Sequence, residues 1–241
     1  RQDNQNLRRA VELSDKILFT LDGSRLLTPA KDGRIRCWKT ADGSLEWTAA
    51  PNAVGQVPLF PDGRTGFGVS RDTRRFALFD LPEGTERPTS FADTPLEVTA
   101  QSFSPAADRF ALAGNINWSR IYDARTTEPL TPLLRHDGQV WFVHWSPDGR
   151  RLTTAGNTPE VRVWDSATGE LLLPPLRLGA SAVETGLWSP DGRFIVARND
   201  DNLVRVWDAA TGEPVTPALR HDGFVRFARI VANNRLITMS L

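Results

Sequence analysis

The sequence predicts an all-β fold: a β-propeller of four-stranded antiparallel blades, five of them complete and a sixth begun. Three observations carry this prediction. Short alternating runs rich in Val, Trp, Phe and Thr are cut by Pro, Asp and Gly, as in the stretch from His136 to Asp165, which is how strands and tight turns are written. The pattern recurs. The aromatic residue closing each third run, Trp38, Phe79, Tyr122, Trp164 and Trp207, follows its predecessor by 41, 43, 42 and 43 residues. Prolines outside the turns gather in the fourth runs (Pro129, Pro132, Pro174, Pro175, Pro214, Pro217), where a missing N–H is tolerated because an outermost strand has a free edge. A period near forty with four strands per unit is the signature of a propeller.

Taken in order, residues 1–6 are polar, and Leu7 to Leu13 could supply the outer strand of a preceding or closing blade. Blade one, about 14–49, reads KILFT, SRLLTPA, RIRCW and SLEWT. Cys37 sits beside Trp38 in its third run and reads as a small buried apolar residue, with no His or CxxC partner to activate a thiol. Blade two, about 53–91, is degenerate. Gly66 and Gly68 fall in a strand, without the strand-to-helix context a phosphate loop needs. Blade three, about 96–134, replaces the Ser-Pro-Asp-Gly turn with the longer Ser104 to Asp108. Its Asn117-Trp118-Ser119 matches a glycosylation tripeptide, too short a match to carry weight.

Blades four and five, about 138–177 and 182–220, are the most regular. Each turn has a local cause: Pro147 presets φ, Asp148 bonds to nearby backbone and Gly149 accepts positive φ. After Ser166 to Glu170, the run LLLPPL is expected to form the fourth strand. Residues 224–241 read as the first two strands of a sixth blade whose closing aromatic would fall near 249 or 250, so the chain is expected to be part of a longer one. All 241 residues are read as one propeller domain, and an incomplete propeller is expected to self-associate through an open seam.

The HDG, SPDG and VRVWD motifs together resemble the WD40 repeat family across nearly the whole chain, closely in the fourth and fifth units, moderately in the first and loosely in the second and third. The RHDG and WDAATGEP phrasing is similar to bacterial arrays that often follow a serine/threonine kinase domain. The resemblance implies a structural network in which a histidine before the first strand meets an aspartate before the third and the third-strand tryptophan joins them. Onto this pattern fall His136, His221, Asp32, Asp201, Trp38, Trp164 and Trp207. No unit has the full set: Thr158 replaces the aspartate in unit four, and Gly179-Ala180 the histidine in unit five. Blades should therefore differ in rigidity.

Composition narrows the function. Lys plus Arg and Asp plus Glu are both 29, so the net charge is zero, which argues against nucleic acid or an acidic membrane as partner. No run approaches the twenty apolar residues of a membrane span, no signal-peptide pattern opens the sequence, and with one cysteine there is no internal disulfide. A cytoplasmic location is the default expectation. Three histidines and one cysteine make no strong zinc set, and no HExxH, GxSxG or kinase-loop motif appears, so neither catalytic residue, metal nor cofactor is predicted.

What remains is recognition. Loops before the first and third strands meet at one rim and vary from unit to unit, while the turns opposite repeat. On that rim Glu97, Trp141, Glu184, Phe224 and Arg226 are the candidate partner-binding residues, with Asn115, Asn157 and Asn199 in the loops. Aromatic and Arg residues dominate interface energetics, though Trp141 could equally pack between blades. His144 reads as a packed polar residue. The expected function is a scaffold or recognition module for a protein or peptide. The alternatives are a regulatory segment of a larger kinase, which the resemblance suggests, and a propeller processing a small molecule or glycan.

Overall fold

A computed structural model describes residues 18–20, 22–29, 34–51, 53–54, 63–70, 76–87, 98–114 and 116–241. The protein forms two compact units, one of residues 1–96 with 126–128 and the other of 97–125 with 129–241. Leu7 to Leu13, Asp32, Glu97 and Asn115 lie outside the described residues.

The first unit holds two four-stranded antiparallel sheets. One comprises β1 (Leu18–Phe19), β2 (Arg25–Pro29), β3 (Ile35–Lys39) and β4 (Leu45–Ala49), and the other β5 (Ala53–Val54), β6 (Thr65–Ser70), β7 (Phe76–Asp80) and β8 (Thr85–Arg87), each paired in sequence order. Leu27, Ile35, Cys37 and Ala49 of the first pack against Ala77, Phe79 and Leu81 of the second. Sheet-on-sheet burial of this kind is how blades hold together.

The second unit repeats the plan. Blade three is β9 (Val98–Phe103), β10 (Arg109–Gly114), β11 (Trp118–Asp123) and β12 (Leu134–Arg135). Blade four is β13 (Val140–Trp145), β14 (Arg151–Gly156), β15 (Glu160–Asp165) and β16 (Leu176–Arg177). Blade five is β17 (Val183–Trp188), β18 (Phe194–Asn199), β19 (Leu203–Asp208) and β20 (Leu219–Arg220), and β21 (Val225–Val231) pairs with β22 (Arg235–Ser240). The five aromatic markers all stand one residue before the end of a third strand. Apolar clusters fill the spaces between successive sheets: Ile121 and Leu134 against Val140 and Trp145, Val161 and Val163 against Val183 and Ile195, Val204 and Val206 against Val225 and Ile230. The second strands β10 and β14 are buried along both faces after their first residue, β14 because blades three and five lie on either side of it.

One element departs from expectation. LLLPPL does not form a continuous fourth strand. Leu171 makes an isolated bridge to Trp164, and pairing resumes only at β16. Pro174 and Pro175 lack the N–H that the ladder would require. Blades three and five break in the same way, with bridges from Pro129 to Tyr122 and from Pro214 to Trp207.

Candidate functional site

The first strands of four blades share an irregularity that sequence periodicity does not reveal. β9, β13, β17 and β21 each pair with their neighbour through a register shift near the strand start. Val140 faces Gly156 and Phe142 faces Ala155, so Trp141 is the extra residue. By the same register Glu184 is extra in β17, Arg226 in β21 and Thr99 in β9. A bulge puts two residues opposite one, kinks the strand and re-aims the extra side chain. The matching position in blade three is thus Thr99, two residues beyond the expected Glu97.

Close backbone approach maintains the bulge at Trp141. A Cβ on Gly156 would stand 2.0 Å from the Gln139 carbonyl oxygen and 2.9 Å from the Trp141 amide nitrogen. Trp141 is half-buried, Arg226 exposed, and Phe224 keeps 42 % of its surface in water. Glu184 is half-buried and forms a salt bridge with Arg198, whose guanidinium carbon lies 5.4 Å from the ring centre of Phe224 in the next blade. Two of the expected residues, Glu184 and Phe224, are therefore joined through a third that the reading of single motifs missed. The signal was present. Arg198 occupies the register position of Ala113 and Ala155, which are buried in the two preceding blades.

Asn157 is exposed in its loop, whereas Asn199 is buried and committed to its own turn. The Asn199 side chain donates to the Leu178 carbonyl (2.8 Å) and accepts from the amides of Asp201 and Leu203 (both 3.1 Å). Asp201 accepts from Ser181 (2.7 Å), not from a histidine. Blade five, which has no histidine before its first strand, braces the same corner with serine, aspartate and asparagine.

Blade four uses a hydroxyl instead. The Trp164 indole N–H donates to Thr154 Oγ1 at 2.8 Å, and Thr154 Oγ1 lies 3.1 Å from His136 Nε2. Trp38 donates to Thr28 in the same way at 2.9 Å, and His221 Nε2 stands 2.9 Å from Thr238 Oγ1. Blade five has Ala197 at that register position, and Trp207 there is a buried apolar side chain. The second-strand threonine is the link that the sequence reading did not include.

Acid–base chemistry has little foothold in these groups. Burial, with Arg162 nearby, pushes the His136 imidazole down from its ordinary 6.5 to about 4, and burial with Arg229 does the same to His144. Burial, reinforced by the Glu46 carboxylate, raises the Cys37 thiol to about 11. Asp148 and Asp191 are held low by the serine hydroxyls of their turns, Asp165 and Asp208 by backbone amides, which makes all four turn-formers. Among the described residues no cluster of three or more His, Cys, Asp or Glu could hold a metal ion, and no helix is long and apolar enough to cross a membrane.

Comparison with known families gives two matches. The WD domain, G-beta repeat, matches residues 127–165 and 178–208, which include the first three strands of blades four and five. The family described as outer membrane protein assembly factor BamB matches residues 3–141, more than half of the sequence. No curated protein matches.

Proposed function

Because this chain belongs to the WD40-type repeat β-propellers, and over residues 3–141 to the family described as outer membrane protein assembly factor BamB, we propose that it is a non-catalytic scaffold that binds a protein or peptide along one rim. The binding edge is the start of the first strands in blades three to six. The observation that carries this reading is the repeated bulge. Four strands expend a residue at the same place, and it is a different residue type in each: Thr99, Trp141, Glu184 and Arg226. A purely structural device would be expected to repeat its chemistry, as the turns at the other end do: Ser146 with Asp148, Ser189 with Asp191. Regular scaffold with irregular side chains at one end is the usual layout of a recognition surface.

A peptide library displayed against the protein tests the proposal. Selected peptides should lose about tenfold or more in affinity on Trp141→Ala or Arg226→Ala, the scale of a hot-spot residue. The same peptides should be indifferent to Glu170→Gln and Glu213→Gln at the opposite end of the blades. Selected binders that respond to the second pair and not the first would place recognition elsewhere.

A further inference from the structure

A second site lies at the other end of the same strands. His144, Leu187 and Arg229 occupy equivalent positions, four residues after Val140, Val183 and Val225, and line one shallow cavity of about 270 Å³. Trp145, Trp188 and the turn prolines Pro147 and Pro190 form its walls. The cavity belongs to blades four, five and six of the second unit and shares no residue with the rim described above.

Two of its polar side chains are idle. Among the described residues the His144 ring has no hydrogen-bond partner; its backbone carbonyl accepts from the Trp188 indole (3.3 Å) and the Thr153 hydroxyl (3.2 Å). Arg229 has no carboxylate partner among them either, its guanidinium carbon resting 5.5 Å from the Phe227 ring centre. The remaining polar group, the Ser189 hydroxyl, is spent on Asp191 and the Phe194 amide. The half-buried imidazole therefore lines the cavity with its ring nitrogens uncommitted to protein groups, so a ligand can bond to them.

We propose that this cavity binds a small organic carboxylate, its anion bridging the Arg229 guanidinium and the His144 N–H and its apolar body lying against Trp145 and Trp188. The Arg229 charge repels cations. Aromatic, prolyl and leucyl walls favour a ligand with an apolar body over a fully hydrated inorganic anion. A carboxylate also suits the electrostatics of the pair: Arg229 helps to hold His144 neutral, so the imidazole is a hydrogen-bond donor that does not compete for the anion's charge.

Phenylacetate is a suitable probe, followed through the indole N–H resonances of Trp145 and Trp188. A ligand of this size in a half-open site should bind with Kd on the order of 1 mM. Arg229→Gln and His144→Phe, the second keeping ring volume without nitrogens, should each weaken binding about tenfold. Phenylacetamide, isosteric and neutral, should produce no comparable shift. N-acetylphenylalanine separates the two sources of such a group: binding as tight as phenylacetate points to the C-terminal carboxylate of a peptide, and much weaker binding to a free acid. No indole shift at tens of millimolar probe, equal binding of the amide, or full binding by both variants would overturn the proposal. Both variants must retain the wild-type indole dispersion without ligand, which separates loss of the site from loss of the fold.

Discussion

Arg151 in blade four stacks over Trp188 in blade five, its guanidinium carbon 4.6 Å from the ring centre, while its two terminal nitrogens donate to the carbonyls of Gly192 (3.0 Å) and Ala209 (2.6 Å). Trp188 answers by donating its indole N–H to the His144 carbonyl of blade four. The same exchange joins blades three and four. Arg109 lies 5.2 Å from the Trp145 ring centre and donates to Gly149 and Ser166 (both 3.0 Å), and Trp145 donates to the Ser102 carbonyl (3.0 Å). Between blades five and six the two positions hold Phe194 and Ile230, so an apolar contact replaces the clamp.

Arg151→Ala removes two charge-assisted hydrogen bonds and a cation–π contact and should lower unfolding free energy by about 2 to 4 kcal/mol. Arg151→Lys should recover little of this, because an ammonium cannot span two carbonyls and stack at once. Denaturant unfolding followed by tryptophan fluorescence measures both. A lysine variant as stable as the parent would mean that charge, not the planar fork, holds the blades.

Acid should weaken the fold well above the range of ordinary carboxylates. His136 and His144 titrate near 4 when folded and near 6.5 when unfolded, so between those values the unfolded protein binds more protons and stability rises with pH. Full stability is present above about 6.5 and is lost as pH falls toward 4, on the order of 3 kcal/mol per histidine. The turn carboxylates, depressed below 3.8, add their loss only at lower pH. Unfolding free energy measured from pH 7 to 4 checks this, and His144→Phe should flatten part of the slope. A profile already flat in the parent would refute it.

Gly156→Ala should be far more damaging than an ordinary glycine substitution in a strand. The added methyl meets the Gln139 carbonyl at 2.0 Å, so the bulge carrying Trp141 must open. A loss of about 1 to 3 kcal/mol or more is expected, with faster amide exchange at Trp141 and Phe142. Unchanged exchange there would show that the bulge does not depend on the missing side chain.

Cys37 should resist alkylation until the first unit unfolds. It is fully buried and its thiol is raised to about 11, leaving on the order of 0.1 % or less thiolate at pH 8. Labelling kinetics across a denaturant series test this, and rapid labelling under native conditions would contradict it.

Replacing Arg198 by alanine restores what blades three and four carry, and alone it strands the half-buried Glu184. A double-mutant cycle with Glu184→Gln should give a coupling of about 1 kcal/mol, as expected for a pair that water still reaches. Zero coupling would remove Arg198 from the account of the rim.

The strands and their grouping in fours are legible because they depend on near neighbours: alternation of period two, Pro and Gly at turns, and aromatic markers recurring every forty or so residues. Rim residues were legible only in part. Trp141 and Phe224 stand out as departures from the repeat, but that Trp141, Glu184 and Arg226 are bulged follows from strand register, which no single run encodes. Glu97 stands two residues before Thr99, the position that register selects in blade three. Comparing second strands position by position would have exposed Arg198 in an alanine slot and Thr28, Thr154 and Thr238 as a recurring hydroxyl.

The sequence by itself determined the blade: which runs pair, where they turn and which faces are apolar, since these are set by local sterics and by burial with a period of two. Tertiary structure decided everything that passes between blades. The reach of Arg151 to Trp188, the relay from His136 through Thr154 to Trp164, the exchange among Glu184, Arg198 and Phe224, and the meeting of His144 with Arg229 all join residues separated in sequence. Such partners are selected by packing distance and by the cost of leaving a buried donor unpaired, and neither quantity exists until the sheets have stacked.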